Sequence, residues 1–539
     1  MDKGRTSTSG TNGLRRWGYA LWVVAIAGFA VLHAWHLRAD FPNGSPWTFD
    51  WAKYTDEGWY GSGAIRAHLF GNWYMAGDFN PAAAVPVWPF VEWVLFFFTG
   101  VTVQAARGLA VACFFANLAL GYLLLRTGGK RWVALLGVTL AVTSPFLYCF
   151  SRLAILEPLQ TVLTLAALNL AVRLPGVRRP VLVSAGIGLL FALMTLTKTT
   201  GVFLAPAVGW AVVQPLWGKR KLAAQCALAA ACTAAVAYGL WMVLIGGFGL
   251  LCDYKYYFFV NNYAKPAEFY WPLPAFWWSF HGLLWVDHSL VLLAGATVLG
   301  AAIAWRSEWG RRLWRNPIFG ASLWAVAGYV LFMTLQNHPQ PRYFAMPAFF
   351  CFFVVALGAE TLLGEAKAMG NATWAHGLGW AAVAIAVAAA GVHGARTIGY
   401  ATHPEYTFVN AASQLARYID AHPNGRPLLV SISGDDITLL THLPSLCDDF
   451  GTKDLPSKLA EYQPGWYAAW NDLDAGTLED LHTHFSVEQT VSFSAFDDSE
   501  RNRLVLFELH PLPGGQVRAQ GDEDLRTALP GDKIEVPIE

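Results

Sequence analysis

Charge is what this sequence has least of. Lys, Arg, Asp and Glu make up 14% of its 539 residues, against about 25% in a soluble domain. With 55% hydrophobic residues and a mean hydropathy of +0.37, the chain cannot dress a water-exposed surface, which excludes a soluble globular protein. Charge of one sign is missing too, since 37 basic and 37 acidic residues cancel. Neither a nucleic-acid partner nor a polybasic tail is indicated. The seven cysteines are scattered without a CxxC or Cys/His ligand spacing, and most lie in apolar runs where Cys behaves as a small hydrophobe. Only Cys252 and Cys447 are placed to meet an oxidising compartment and to pair there. No small-x-small cleavage site follows the first apolar run, so it reads as a retained span rather than a signal peptide. No internal repeat is present.

Long apolar runs are what remains. Runs of about 17 to 25 residues fall near 17 to 36, 104 to 125, 132 to 149, 155 to 172, 181 to 197, 200 to 217, 222 to 248, 288 to 305, 317 to 336, 343 to 362 and 375 to 398, eleven in all. Lys3, Arg5, Arg15 and Arg16 precede the first, which keeps the N-terminus in the cytoplasm. The later basic clusters then all fall inside: Arg126, Lys130 and Arg131; Arg173, Arg178 and Arg179; Lys219, Arg220 and Lys221; Arg306, Arg311, Arg312 and Arg315. The last inside loop, around Glu365 and Lys367, is not positive. A further apolar stretch, 84 to 102, carries Pro86, Pro89 and Glu92. Counting it as a span would turn every basic cluster outward, so it is read as a juxtamembrane helix on the outer surface or a re-entrant one, in an outer loop from about 37 to 103. The same loop holds an amphipathic piece at 57 to 70.

A second outer loop, 249 to 287, is dense in Tyr, Trp and Phe. It reads as an aromatic belt at headgroup level, or as a lid or groove for a polyprenyl chain or sugar ring with Lys255, Lys265 and His281 as polar handles. After residue 404 the chain turns soluble in character: a helical pattern at 406 to 421, a buried strand in PLLVSIS, a helix in GTLEDLHTHF, and strands in VEQTVSF and RLVLFEL. The expected architecture is therefore an all-α polytopic membrane protein, residues 1 to 403, with a C-terminal soluble α/β domain, 404 to 539, outside the cytoplasm. The loop SGDD at 433 to 436 has the form of a strand-to-helix ligand turn, though a lone Gly with two acids reads rather as a helix cap. Beyond about 513 the tail is rich in Gly, Pro and charge and reads as flexible.

Within the apolar part, ionisable residues at span ends need a reason. Asp56 and Glu57, in TDEGWYGSGAIR, emerge just outside the first span, where a carboxylate suits a base acting on a substrate delivered by the bilayer. The bland alternative is an acidic pair at a helix N-terminus. Arg152 and Glu157 in SRLAILEP, Lys198 in TKTTG and Arg342 in QNHPQPRYF lie in outward turns. The three cations are expected to hold the phosphate of a lipid-phosphate donor, or else to pair with acids such as Glu157 and Glu92. Glu92, Tyr60, His338, Tyr343 and Lys265 are candidate substrate-binding residues.

The DE pair in the first outer loop, the SRxxxxEP turn, the LTKxxG turn and the RYF segment opening a late span together resemble the GT-C class of membrane glycosyltransferases. Within it, the chain looks like bacterial dolichyl-phosphate-mannose protein mannosyltransferase and lipid A aminoarabinose transferase relatives, over roughly residues 14 to 400. The resemblance implies a polyprenyl-phosphate-linked monosaccharide donor, a lipid, glycan or protein acceptor, inverting transfer on the outer face of the inner membrane, and Asp56 as base. The second acidic position, Asp in many relatives, is Glu157 here. Where relatives carry Lys-Pro-Pro or His-Pro-Pro before the juxtamembrane helix, this chain has NPAAAVPVWP. No cofactor is expected; a metal held between Asp56 and Glu157 is the alternative. The competing functions are a transporter or flippase of lipid-linked sugars, which would want charges at mid-bilayer, and a receptor or scaffold built on residues 404 to 539, for which eleven spans are excessive.

Overall fold

The computed structural model describes residues 9–261, 277, 279, 281–336, 340–368, 373–498 and 501–513. Among them, eight helices are each long and apolar enough to cross a membrane, and two bent pairs raise the number to ten. Leu156–Ala171, with 16 residues, is the shorter eleventh. Each run expected to span coincides with helical structure, and the chain is a multi-pass membrane protein. One bend has a clear local cause. Arg131–Thr143 and Pro145–Ser151 meet at 66° because Pro145 has no N–H to donate and its ring crowds the preceding turn. Ser144 restarts the helix, its hydroxyl accepting from Leu147 N at 3.2 Å.

The first four helices set the frame of the site: α1 (Ser9–Ala34), α2 (Asp56–Phe70), α3 (Val87–Thr99) and α4 (Val103–Gly128). With 13 residues, α3 is about 20 Å long, too short to cross the hydrocarbon core. It ends at Gly100, whose φ of 68° suits a residue without Cβ. By contrast, α2 is not the amphipathic surface helix that its sequence suggests, since every residue from Asp56 to Arg66 is buried. It is wedged between α3 and the C-terminal helix Gly434–Thr441. Two glycines permit the wedge: a Cβ on Gly58 would lie 2.1 Å from the Asp435 carbonyl carbon, and one on Gly61 2.6 Å from Glu92 Oε2.

Glu57 fastens α2 to the spans. Arg107 of α4 donates Nε to Oε1 at 2.8 Å and Nη2 to Oε2 at 2.6 Å, and Ala154 N adds a bond to Oε1 at 2.8 Å. The remaining Arg107 nitrogen reaches Leu37 O at 2.9 Å and Ala39 O at 2.6 Å. A planar guanidinium thus ties the exit of α1 to the start of α2 by its fork geometry.

The C-terminal part is a five-stranded sheet of β1 (Leu429–Val430), β2 (Ser445–Leu446), β3 (Trp466–Trp470), β4 (Phe485–Ser494) and β5 (Arg503–Pro511), in the order β2-β1-β3-β5-β4. β1 runs parallel to β2 and β3, while β3-β5-β4 are antiparallel. The sheet side docks on the first loop at several places. Asp40 caps the helix Thr407–Ala421, accepting from Phe408 N at 2.8 Å and Val409 N at 3.2 Å. Lys53 pairs with Asp498 at 2.6 Å, and Tyr462 donates to Ala76 O at 2.7 Å. Cys252 and Cys447, the two cysteines placed to meet an oxidising compartment, are both free thiols.

Removing one partner of the Arg107 pair strands a buried charge, which costs about 3–5 kcal/mol. Arg107→Ala should therefore lower the thermal unfolding midpoint of the detergent-solubilised protein, and adding Glu57→Gln should restore part of it. A single variant that melts with the wild type contradicts this role.

Candidate active site

Asp56 is the first residue of α2, and its carboxylate is fully enclosed. Thr55, in the N-cap position, makes no capping bond to its own helix. Its hydroxyl lies 3.0 Å from Trp51 O and 3.1 Å from Asp56 Oδ1 instead. Asp56 Oδ2 is 2.8 Å from Arg342 Nη2, an ion-pair distance without hydrogen-bond alignment, which leaves that oxygen with unused acceptor capacity. Arg342 sits on the 3-10 turn Pro341–Phe344 that opens the helix Ala345–Ala368. Its Nη1 donates to Asp50 Oδ1 at 2.5 Å and its backbone N to Asp50 Oδ2 at 2.9 Å. One guanidinium therefore bridges Asp50 and Asp56.

The second cation is paired beside the first. Lys198, at the C-terminal end of Pro180–Thr197, forms an ion pair with Glu157 in the first turn of Leu156–Ala171. The Tyr343 ring packs against both, 4.3 Å from Lys198 Nζ and 4.9 Å from Arg342 Cζ. Behind them a buried amide network fixes the turn after Lys198. Tyr329 donates to Gln160 Oε1 at 2.6 Å, and Gln160 Nε2 to Thr200 Oγ1 at 2.9 Å.

Electrostatics make Asp56 a poised group. Burial pushes its carboxyl up to about 6; the Arg342 charge pulls it down, while Asp50 and Glu157 push it further up. Three carboxylates face two cations here, so the cluster by itself carries an excess of acid. Glu157 Oε2 and Arg342 Nε are buried without a hydrogen-bond partner. Such atoms are costly to leave unpaired, and they mark where a ligand with both donor and acceptor atoms would gain most.

The structure thus brings Asp56, Glu157, Lys198, Arg342 and Tyr343 together. Tyr60, one turn along α2, is buried close enough to feel the charges of Asp56 and Arg342, although burial itself is what raises its phenol. Glu57 stands next in sequence to Asp56 but both its oxygens are engaged by Arg107. Glu92 packs against Gly61 of α2, and burial, then the Glu57 charge, push its carboxyl well above the usual range. Arg152 is committed elsewhere: its guanidinium donates to Tyr148 Oη, Trp35 O and His36 O, the last two at 2.7 and 2.6 Å. His338 and Lys265 lie outside the described residues. Among the described residues, no three His, Cys, Asp or Glu side chains gather as a metal would require.

Sequence reasoning missed Asp50, six residues before Asp56 in the aromatic stretch WTFDW, and the amide network of Gln160. An acid in an otherwise apolar, aromatic segment was the available signal for Asp50. It also missed what SGDD does. The helix Gly434–Thr441 has no side-chain cap of its own; Asp435 Oδ1 accepts from Arg66 Nη2 at 2.9 Å, and Asp436 accepts from the Gly58 amide. A cavity of about 620 Å³ lies apart from this cluster, with none of Asp56, Glu157, Lys198 or Arg342 in its wall. It is walled almost entirely by apolar side chains from Phe191, Val208 and Ala231, reaches Tyr238 and Tyr254, and extends to Thr195 and Val202 on either side of Lys198 in the chain.

Solved structures of similar shape were found at low identity. ArnT from Cupriavidus metallidurans, bound to undecaprenyl phosphate, matches with a TM-score of 0.57 and 15% identity over 90% of this chain and 98% of that one. The same protein in the apo state matches at 0.53 and 16% identity, over 91% and 98% of the two chains. The archaeal oligosaccharyltransferase AglB from Archaeoglobus fulgidus, in complex with an inhibitory peptide and a dolichol-phosphate, matches at 0.51 and 12% identity, over 84% and 69%. No family model and no curated protein sequence matches the chain. Its helices, juxtamembrane segments and C-terminal sheet together have the fold of the GT-C membrane glycosyltransferases.

Proposed function

We propose that this protein transfers a monosaccharide from a polyprenyl-phosphate-linked donor to a hydroxyl of a lipid, glycan or protein acceptor, with inversion and with Asp56 as general base. The observation that carries the reading is the juxtaposition of one buried carboxylate, Asp56, with two buried cations, Arg342 and Lys198. The cavity suits the polyprenyl chain. Lys198 and Arg342 suit its phosphate, the former as a point charge and the latter in fork geometry. ArnT, of the same fold, is solved with undecaprenyl phosphate, which supports a lipid phosphate as the shared ligand. Charges concentrated at span ends rather than at mid-bilayer favour transfer over the transporter reading. By the distribution of basic loops, the cluster and the C-terminal sheet face away from the cytoplasm.

In the reaction, the acceptor oxygen forms a bond to the anomeric carbon from the face opposite the phosphate. Its proton passes to Asp56, and the bond from the anomeric carbon to the phosphate oxygen breaks. The electron pair leaves on the lipid phosphate, where Lys198 and Arg342 stabilise the charge as it develops. Donor binding also strengthens the base. Arg342, and after it Lys198, pull the Asp56 pKa down, so a phosphate that neutralises them leaves Asp56 more basic. Tyr343, packed against Lys198 and Arg342, and Tyr60 would meet the sugar, and Glu157 would be released from Lys198 as the phosphate takes its place.

Asp56→Asn should lower transfer in reconstituted membranes by about 10²–10⁴-fold, the usual worth of a general base, while polyprenyl-phosphate binding persists. Transfer at the normal rate would remove the assignment. Lys198→Ala and Arg342→Ala should each weaken binding of polyprenyl phosphate, and unchanged affinity in both would refute the phosphate pocket. A base must be ionised, so kcat/KM should rise with pH through a midpoint near 6, the free-enzyme value of Asp56. The acidic limb of kcat should lie at higher pH, because the bound phosphate raises the same carboxyl. A kcat limb at or below that of kcat/KM would contradict the exchange of Arg342 partners.

A further inference from the structure

The first turn of α2 exposes its own backbone N–H groups, which need acceptors when buried. Thr55, the residue positioned to supply one, has its hydroxyl turned towards Trp51 O and the Asp56 carboxylate. The acceptor comes instead from 378 residues away, where the Asp436 side chain accepts from the Gly58 amide. We propose that Asp436 is a positioning residue for Asp56, a helix cap delivered by the C-terminal domain to the helix that bears the base, which frees Thr55 to hold the Asp56 carboxylate. The inference rests on the reading of Asp56 as base.

Three features make this contact more than incidental packing. Gly58 lies two residues after Asp56, so the capped amide belongs to the same helical turn as the base. The backbones touch there, since a Cβ on Gly58 would sit 2.1 Å from Asp435 C and 2.2 Å from Asp436 N. The neighbouring Asp435 is held independently by Arg66, which also binds Asp78 Oδ2 at 2.7 Å. Lys458 closes the group, donating to Cys447 O and Phe450 O at 2.6 Å each and lying 3.5 Å from Asp78 Oδ1. Asp435 thus fixes where the loop sits, and Asp436 is aimed by it at a single amide. A displacement of the first turn by a fraction of an ångström would misalign Asp56 with an acceptor hydroxyl, and catalysis is steeply sensitive to such misplacement.

The test compares Asp436→Ala with Asp436→Asn in the full-length protein, because Asn keeps an acceptor oxygen and Ala does not. The alanine variant should lose about tenfold or more in kcat with the donor KM within about twofold, whereas the asparagine variant retains most of the rate. Gly58→Ala, which pushes the loop off the helix, should reproduce the alanine result and serves if Asp436→Ala does not fold. Hydrogen exchange of the peptide spanning residues 55 to 62 gives a readout independent of sugar transfer: protected in the wild type and Asp436→Asn, faster in Asp436→Ala. Equal kcat in all variants, equal losses for Ala and Asn, or a loss confined to KM overturns the proposal. A wild-type protein that moves no sugar would refute the function instead, and unaltered exchange in Asp436→Ala would then refute the cap separately.

Discussion

A single guanidinium holding two carboxylates is the interaction on which the arrangement of this molecule depends. Arg342 joins Asp50, at the start of a 3-10 turn, to Asp56, at the start of a helix, and does so from a span almost 300 residues later. Two like charges buried this close would repel strongly in a low-dielectric surrounding without a cation between them. The pairing therefore decides where the first loop sits on the helix bundle. It also counters the burial that pushes the Asp56 carboxyl up.

Around this interaction α2 is gripped from several directions. Arg107 holds Glu57, α3 presses on Gly61, and the C-terminal domain meets Gly58 and Arg66. Each grip uses either an arginine or a glycine small enough to admit a close neighbour. The arrangement explains why a helix carrying Asp, Glu and Arg can be buried along its first eleven residues: each of these charges meets an opposite one. It also makes the C-terminal sheet part of the site's frame rather than a separate appendage.

Much of the fold was legible in the sequence, because hydrophobic runs of spanning length and the clustering of basic residues carry their meaning locally. The bend before Pro145 was readable in principle from that proline. The site was legible only in part. Lys198 and Arg342 stand out as cations at span ends, but Arg152 looked the same and turned out to bind the carbonyls at the C-terminal end of α1, where partial negative charge competes for a guanidinium as a phosphate does. Arg107 gave no signal because its partner is 50 residues away. The SGDD loop read as a cap for its own helix; in fact its acids serve a different helix, a relation set by tertiary contact alone. The burial of α2 was illegible for the same reason, since its composition suits a surface helix until the neighbours are in place.

The central claim, that a lipid phosphate takes the place of carboxylates on Arg342 and Lys198 beside Asp56, is tested most directly by a structure with polyprenyl phosphate bound. The account predicts phosphate oxygens within hydrogen-bond reach of both cations, the Lys198–Glu157 pair opened, and the chain in the apolar cavity. A phosphate seated away from both cations, with the Arg342–Asp56 and Lys198–Glu157 pairs intact, would contradict it.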